Sequence, residues 1–124
     1  MKREVKTNAS ELHRTVFELV TQCFPNEAIR QEESIRVDGK TLFIDIYLPK
    51  LKIAIECDGI QHFKYNAFFH TDAMSFANQK KNDASKKEYC RVNGITLVRV
   101  AYNEKMDKDS LKERILTQMR EDNG

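Results

Sequence analysis

The sequence predicts an α/β (α+β) fold with the element order α-β-β-β-α-β-α in one domain spanning residues 1–124. Three observations predict it. Apolar residues recur at helical spacing near both ends of the chain. Asp38-Gly39 separates two runs rich in β-branched and aromatic residues, which is the strongest short hairpin signal. The run Ile95 to Val100, which reads as a buried strand, follows a helical stretch closed by Asn93-Gly94.

The first helix is expected over about 9–23, where Leu12, Val16, Phe17, Leu19 and Val20 share helical spacing. Asn8 or Ser10 can cap it, Glu11 falls in its first turn, and Phe24-Pro25-Asn26 ends it. Strands follow at 34–37, 41–48 and 52–58, with Pro49-Lys50 breaking the second from the third and Gly59 closing the third. Short connections make these three an antiparallel meander. The stretch 61–70 is aromatic and irregular, with His62, Phe63, Tyr65, Phe68 and Phe69. A second helix is expected over about 71–92, with Met74, Phe76, Ala77, Ala84, Tyr89 and Cys90 available for burial. The strand at 95–100 and a helix marked by Leu111, Ile115, Leu116 and Met119 complete the order.

Composition excludes several classes. With 40% hydrophobic and 32% charged residues, the chain reads as an ordinary globular protein of 124 residues with room for one core. No apolar run approaches the roughly 18–20 residues of a membrane span, and MKREVKTNAS lacks the apolar centre of a secretion signal. Cys23, Cys57 and Cys90 are an odd, scattered set without a CxxC pair, as expected of reduced thiols in a cytoplasmic protein. The net charge of +2 does not by itself announce a nucleic-acid binder. Charge is uneven, however. Lys80, Lys81, Lys86, Lys87 and Arg91 stand against only Asp83 and Glu88, which suits either a DNA-facing or a simply solvated helix face.

The chemistry gathers on the strands. Alternation puts Ala54, Glu56 and Asp58 on one face, and Ile53, Ile55 and Cys57 on the other. On the preceding strand Phe43, Asp45 and Tyr47 share a face, and Leu42, Ile44, Ile46 and Leu48 the opposite one. A short loop at about 49–52 then sets Asp45 opposite Glu56. Like charges across a strand pair repel by roughly 0.2–1 kcal/mol when exposed. A hard cation such as magnesium removes that repulsion and takes oxygen ligands. The alternative is a solvated sheet face with each acid paired to a lysine. His62, four residues beyond Asp58, suits a base or phosphate contact, or aromatic packing. His13 and His70 have no such context and are expected at the surface or in packing. Asp83 with Lys86 and Lys87 is ordinary helix pairing when taken alone, and Glu11 is equally weak in isolation.

The run FIDIYLPKLKIAIECDGIQHF, followed by QKKNDASKKEYCRVNGITLVRV, resembles a branch of the PD-(D/E)XK nuclease superfamily. That branch includes the very-short-patch repair endonucleases and phage homing endonucleases with an EDxHD pattern. The resemblance runs from Glu11 to about Tyr102. It implies a restriction-endonuclease-like core, a mixed sheet with flanking helices, and magnesium- or manganese-dependent hydrolysis of DNA phosphodiesters. By position it assigns catalysis to Glu11, Asp45, Glu56, Asp58, His62 and Asp83, and the metal to Asp45, Glu56 and Asp58. The superfamily's lysine falls at Asp58, a departure shared by this branch, in which His62 and Asp83 take over part of its work. Gln61, Lys80, Lys81, Lys86 and Lys87 would contact DNA. A phage or mobile-element nuclease in the host-cell cytoplasm fits by analogy. The sequence leaves open a monomer that nicks or a homodimer that cuts both strands. The competing reading is a nuclease fold kept as a non-catalytic DNA-binding or assembly module.

Overall fold

A computed structural model describes residues 8–59 and 73–123. Helix α1 (Asn8–Cys23) leads into β1 (Arg30–Val37), β2 (Lys40–Leu48) and β3 (Ile53–Asp58); α2 (Ala73–Val92), β4 (Thr96–Ala101) and α3 (Lys108–Asn123) follow. The strands form one mixed sheet in the order β1-β2-β3-β4. The first three are antiparallel neighbours, and β4 runs parallel to β3. A parallel neighbour needs a long crossover, which α2 supplies.

Local chemistry explains the turns. Asp38 and Gly39 take φ of 52° and 80°, the pair of left-handed residues a two-residue hairpin requires, and Val37 pairs directly with Lys40. At the end of α2, Gly94 has φ 68°; its N–H donates to the Arg91 carbonyl at 3.4 Å, and the Ile95 N–H to the Cys90 carbonyl at 2.8 Å. That is a Schellman closure, with Ile95 and Cys90 meeting in the apolar contact that accompanies it. Asp107 caps α3 by accepting the Ser110 N–H at 2.8 Å.

Both faces of β3 are covered, and all six of its residues are buried. On one side Val16 and Val20 of α1 and Leu111 and Ile115 of α3 pack on Ile46, Leu48, Ile53, Ile55, Cys57, Val98 and Val100. On the other, Cys90 of α2 joins Ile35, Leu42, Ile44, Ala54 and Ile95. The face of Glu56 and Asp58 is therefore roofed by α2 and is not an open solvated surface.

Two expectations change. Strand β1 starts at Arg30 and not Ser34, because its polar first half pairs with β2 from Arg30 opposite Tyr47 onward. Pairing by backbone leaves no apolar signature in Arg30-Gln31-Glu32-Glu33. Second, Leu42 and Ile44 do not share a core with Ile46 and Leu48 despite equal parity. The division falls at Asp45, opposite which Glu32 takes a left-handed φ of 53° between the pairs Gln31–Ile46 and Glu33–Ile44. A non-glycine residue in that region is a local distortion of the strand.

Substituting Gly94 tests the α2 stop. An added Cβ meets nothing within 4 Å, so Gly94→Ala pays only for its left-handed φ. The expected loss is about 1 kcal/mol in the urea midpoint stability, with the sheet intact by circular dichroism.

Candidate functional site

The β2–β3 ladder pairs Leu48 with Ile53, Tyr47 with Ala54 and Ile46 with Ile55, and stops there. One step further, the register brings Asp45 opposite Glu56. Side chains now replace main-chain pairing. The Asp45 N–H donates to Glu56 Oε2 at 2.8 Å, and the Cys57 N–H donates to Asp45 Oδ2 at 2.8 Å. Each carboxylate thus satisfies a backbone donor of the facing strand, with the strength of a charged acceptor. Glu56 is 1% exposed, so its acid function is committed to the interior.

Lys86 reaches this pair from α2. Its Nζ donates to Glu56 Oε1 at 2.8 Å, and its side chain is only 14% exposed. Sequence reasoning placed Lys86 among the DNA contacts; its ammonium instead points into the protein. Helical spacing explains this, because Asn82, Lys86 and Cys90 lie four residues apart on the face of α2 that meets the sheet. Asn82 is held there by Lys40 Nζ at 2.7 Å, and Cys90 is in the core. Lys80, Lys81 and Lys87 remain exposed, with Lys80 Nζ lying 5.7 Å from the centre of the Phe76 ring.

Asp58 is buried beside an arginine the sequence reading passed over. Arg99 Nη1 donates to Asp58 Oδ1 and Oδ2 at 3.1 and 3.4 Å, and Nη2 donates to the Asp83 carbonyl at 3.2 Å. The Asp83 carboxylate lies 3.9 Å from Arg99 Nη1. In the parallel ladder Arg99 stands next to Glu56, so one arginine joins β3, β4 and α2. A signal was present: Arg99 interrupts a run that otherwise reads as buried, and a buried charge needs a partner. Among the described residues, Asp45, Glu56, Asp58 and Asp83 face Lys86 and Arg99.

The Asp45 carboxyl responds to its surroundings. Burial, and then the Glu56 charge, push it up from the usual carboxylate value to about 6; the Cys57 N–H bond, Lys86 and His13 oppose the rise. His13 is a second group that the sequence reading assigned to surface or packing. It is half-buried on α1, with Nε2 2.8 Å from Gln31 Oε1, and it has a ring nitrogen within 4.8 Å of an Asp45 oxygen and the Cys57 sulfur. Glu11, expected to join the centre, is exposed at the start of α1. Two residues of helix separate Glu11 and His13 by about 200°, so the helix that turns His13 inward turns Glu11 away. Gln61, His62 and His70 lie outside the described residues.

The donor set suits a hard cation. Asp45 and Glu56 offer carboxylate oxygens, and among the described residues no hydrogen bond is made to Asp45 Oδ1. Cys57 adds nothing for such an ion, because sulfur is a soft ligand that a hard cation does not take; burial and the neighbouring carboxylates raise its thiol, so only a metal that binds thiolate directly would displace the proton. Asp58 is nearby but already shares the Arg99 guanidinium.

No family model matches the chain. It is similar to three viral proteins. "Uncharacterized protein 307L" of Invertebrate iridescent virus 6 is 42% identical over 64 residues, covering 52% of this chain and 32% of the relative. "Uncharacterized protein 033L" of Invertebrate iridescent virus 3 is 34% identical over 70 residues, 56% of this chain and 36% of the relative. "Uncharacterized protein 094L" of Frog virus 3 (isolate Goorha) is 36% identical over 81 residues, 64% of this chain and 52% of the relative. The matched region spans between about a third and half of these relatives. Among the described residues, no helix is long and apolar enough to cross a membrane.

A pH-dependent stability follows from Asp45. In metal-free protein the folded state holds this proton up to about pH 6, while the unfolded carboxyl releases it near 4. Between those values the folded state binds more protons, so stability rises as pH falls from 6 toward 4. Asp45→Asn removes the penalty. In EDTA at pH 7.5 it should be more stable than the parent by about 1–3 kcal/mol, and the gap should close toward pH 4 in urea titrations. An equally large gap at both pH values would contradict the assignment.

Proposed function

We propose that this chain is a metal-dependent DNA endonuclease with a restriction-endonuclease-like core of the PD-(D/E)XK kind. The observation that carries the reading is the strand fork itself, where the carboxylates of Asp45 and Glu56 face each other and burial together with the Glu56 charge raises Asp45, a repulsion that a divalent cation would relieve. Asp45 and Glu56 are the residues that would hold magnesium or manganese, with Asp58 beside them. When bound, such an ion activates water and neutralises charge on a phosphodiester.

The chain's own residues divide the remaining work. Lys86 holds the Glu56 carboxylate in place and supplies a fixed positive charge where the superfamily's lysine is replaced by Asp58. Arg99 fixes Asp58 and the Asp83 segment relative to each other, so both acids act as positioning groups. Lys80, Lys81 and Lys87, on the exposed side of α2, are the candidates for DNA phosphate contact, with Lys86 removed from that set. Gln61 as a DNA contact, and His62 as a base or phosphate contact, rest on the resemblance alone. Glu11 has no role in this reading, since it faces away from the acids. Viral relatives and three free, buried cysteines fit a protein working in the reducing interior of a host cell.

Cleavage of supercoiled plasmid tests the proposal. Magnesium or manganese should support nicking or linearisation, and EDTA should stop it. Asp45→Ala should reduce the rate by more than about 100-fold while sparing the circular dichroism spectrum and DNA retention in a gel. Undiminished cutting by Asp45→Ala would discard the site. DNA retention without cutting would favour a binding module.

Lys86 gives a separate expectation. Lys86→Ala leaves Glu56 buried without its cation and should cost about 3–5 kcal/mol, whereas the outward Lys87→Ala should lie within about 0.5 kcal/mol of the parent. Thermal unfolding of the two variants side by side measures the difference.

A further inference from the structure

The acidic fork has a second aspect, on the side of α1. His13 on α1, Asp45 on β2 and Cys57 on β3 place one imidazole nitrogen, one carboxylate oxygen and one sulfur within 4.8 Å of one another. A helix and two neighbouring strands converge there, and the three donors differ in chemical type. This set does not suit magnesium, which avoids sulfur and nitrogen, but it matches the ligands of zinc. A tetrahedral zinc ion with its usual bond lengths would hold such atoms about 3.3–3.6 Å apart.

The surroundings also suit a metal. Gln31 on β1 lies 2.8 Å from His13 Nε2 and orients the ring, the kind of outer hydrogen bond that ligating histidines have. The Cys57 N–H bond to Asp45 Oδ2 couples the two neighbouring ligands. Cys57 is 8% exposed, so an ion held there would be screened from solvent on the sulfur side.

We propose that His13, Asp45 and Cys57 form a binding site for one thiophilic divalent cation of the zinc class, distinct in ligand type from the oxygen site of Asp45 and Glu56. On binding, the Cys57 S–H bond breaks, its proton passes to solvent, and the sulfur lone pair forms the bond to the metal. No oxidation state changes. Because Asp45 belongs to both donor sets, occupation of this site withdraws Asp45 from a hard cation. Zinc would thereby act as an inhibitor of any magnesium-dependent activity. The zinc site itself does not depend on the chain cutting DNA.

Cobalt(II) is the probe, added to the reduced full chain in a non-thiol reductant. The parent should bind one equivalent and show a thiolate-to-cobalt charge-transfer band in the near ultraviolet, displaced by equimolar zinc and reduced only by a large excess of magnesium, which competes through Asp45. His13→Ala and Cys57→Ser should each abolish the band and weaken zinc binding at least about tenfold. The double variant Cys23→Ser/Cys90→Ser should keep it. Circular dichroism checks that each variant folds, and if the buried Cys57→Ser does not, the half-buried His13→Ala decides. No band in the folded parent overturns the site. So does a band that survives His13→Ala or Cys57→Ser, or one lost in the Cys23/Cys90 double variant. The readout is spectroscopic, so failure of plasmid cleavage leaves this result standing and loss of the cobalt band leaves the nuclease reading standing.

Discussion

Where β2 and β3 cease to pair main chain to main chain, two carboxylates take over the pairing. Asp45 and Glu56 each accept a backbone N–H from the opposite strand, so the acids hold the fork together while repelling one another. The rest of the arrangement follows from that conflict. Glu56 is too deeply buried to be stable alone, and Lys86 of α2 must reach it. Asp58, two residues along the same strand face, requires Arg99 from the neighbouring parallel strand. The order β2-β3-β4 and the crossover through α2 are what place both cations within reach.

Neither cation settles the charge on Asp45. Its carboxyl remains raised by burial and by Glu56, a cost in stability that the fold carries. A protein built only to fold would place an apolar pair at that step of the ladder, as it does one residue earlier with Ile46 and Ile55. The core on either side is complete enough to bear the cost. Among the described residues, eleven buried ones form the cluster on the α1/α3 side and six that on the α2 side, so β3 is fixed from both faces while its end carries the acids. Rigid strands holding charged groups in close geometry are the general condition for preorganised chemistry.

Several of these features were legible in the sequence because they are local. Asp38-Gly39 dictates a hairpin through the left-handed φ of both residues, and Asn93-Gly94 ends a helix for a related reason. Period-two alternation locates β2 and β3 and, with a short turn, brings Asp45 opposite Glu56. What stayed hidden is non-local. The polar first half of β1 pairs through its backbone, which leaves no pattern of side chains to read. Lys86 looks like its neighbour Lys87 in sequence; one helical position decides that one points into the sheet and the other to solvent. His13 and Glu11 pose the same ambiguity on α1, and the inward-facing stripe of Val16 and Val20 shows that His13 is the residue on the buried side.

By itself, then, the sequence determined the elements, their order and the pair of acids on adjacent strands, since propensity, turn chemistry and alternation act over a few residues. Only the tertiary structure decided which charges meet those acids. Residues 30 to 41 positions apart in the chain form the Lys86–Glu56 and Arg99–Asp58 bonds, and the convergence of His13, Asp45 and Cys57 spans 44 positions and three elements. Such contacts depend on the rotation of each helix about its axis and on the parallel setting of β4. Those are fixed by packing two cores against one sheet, a global constraint that no short stretch of sequence contains.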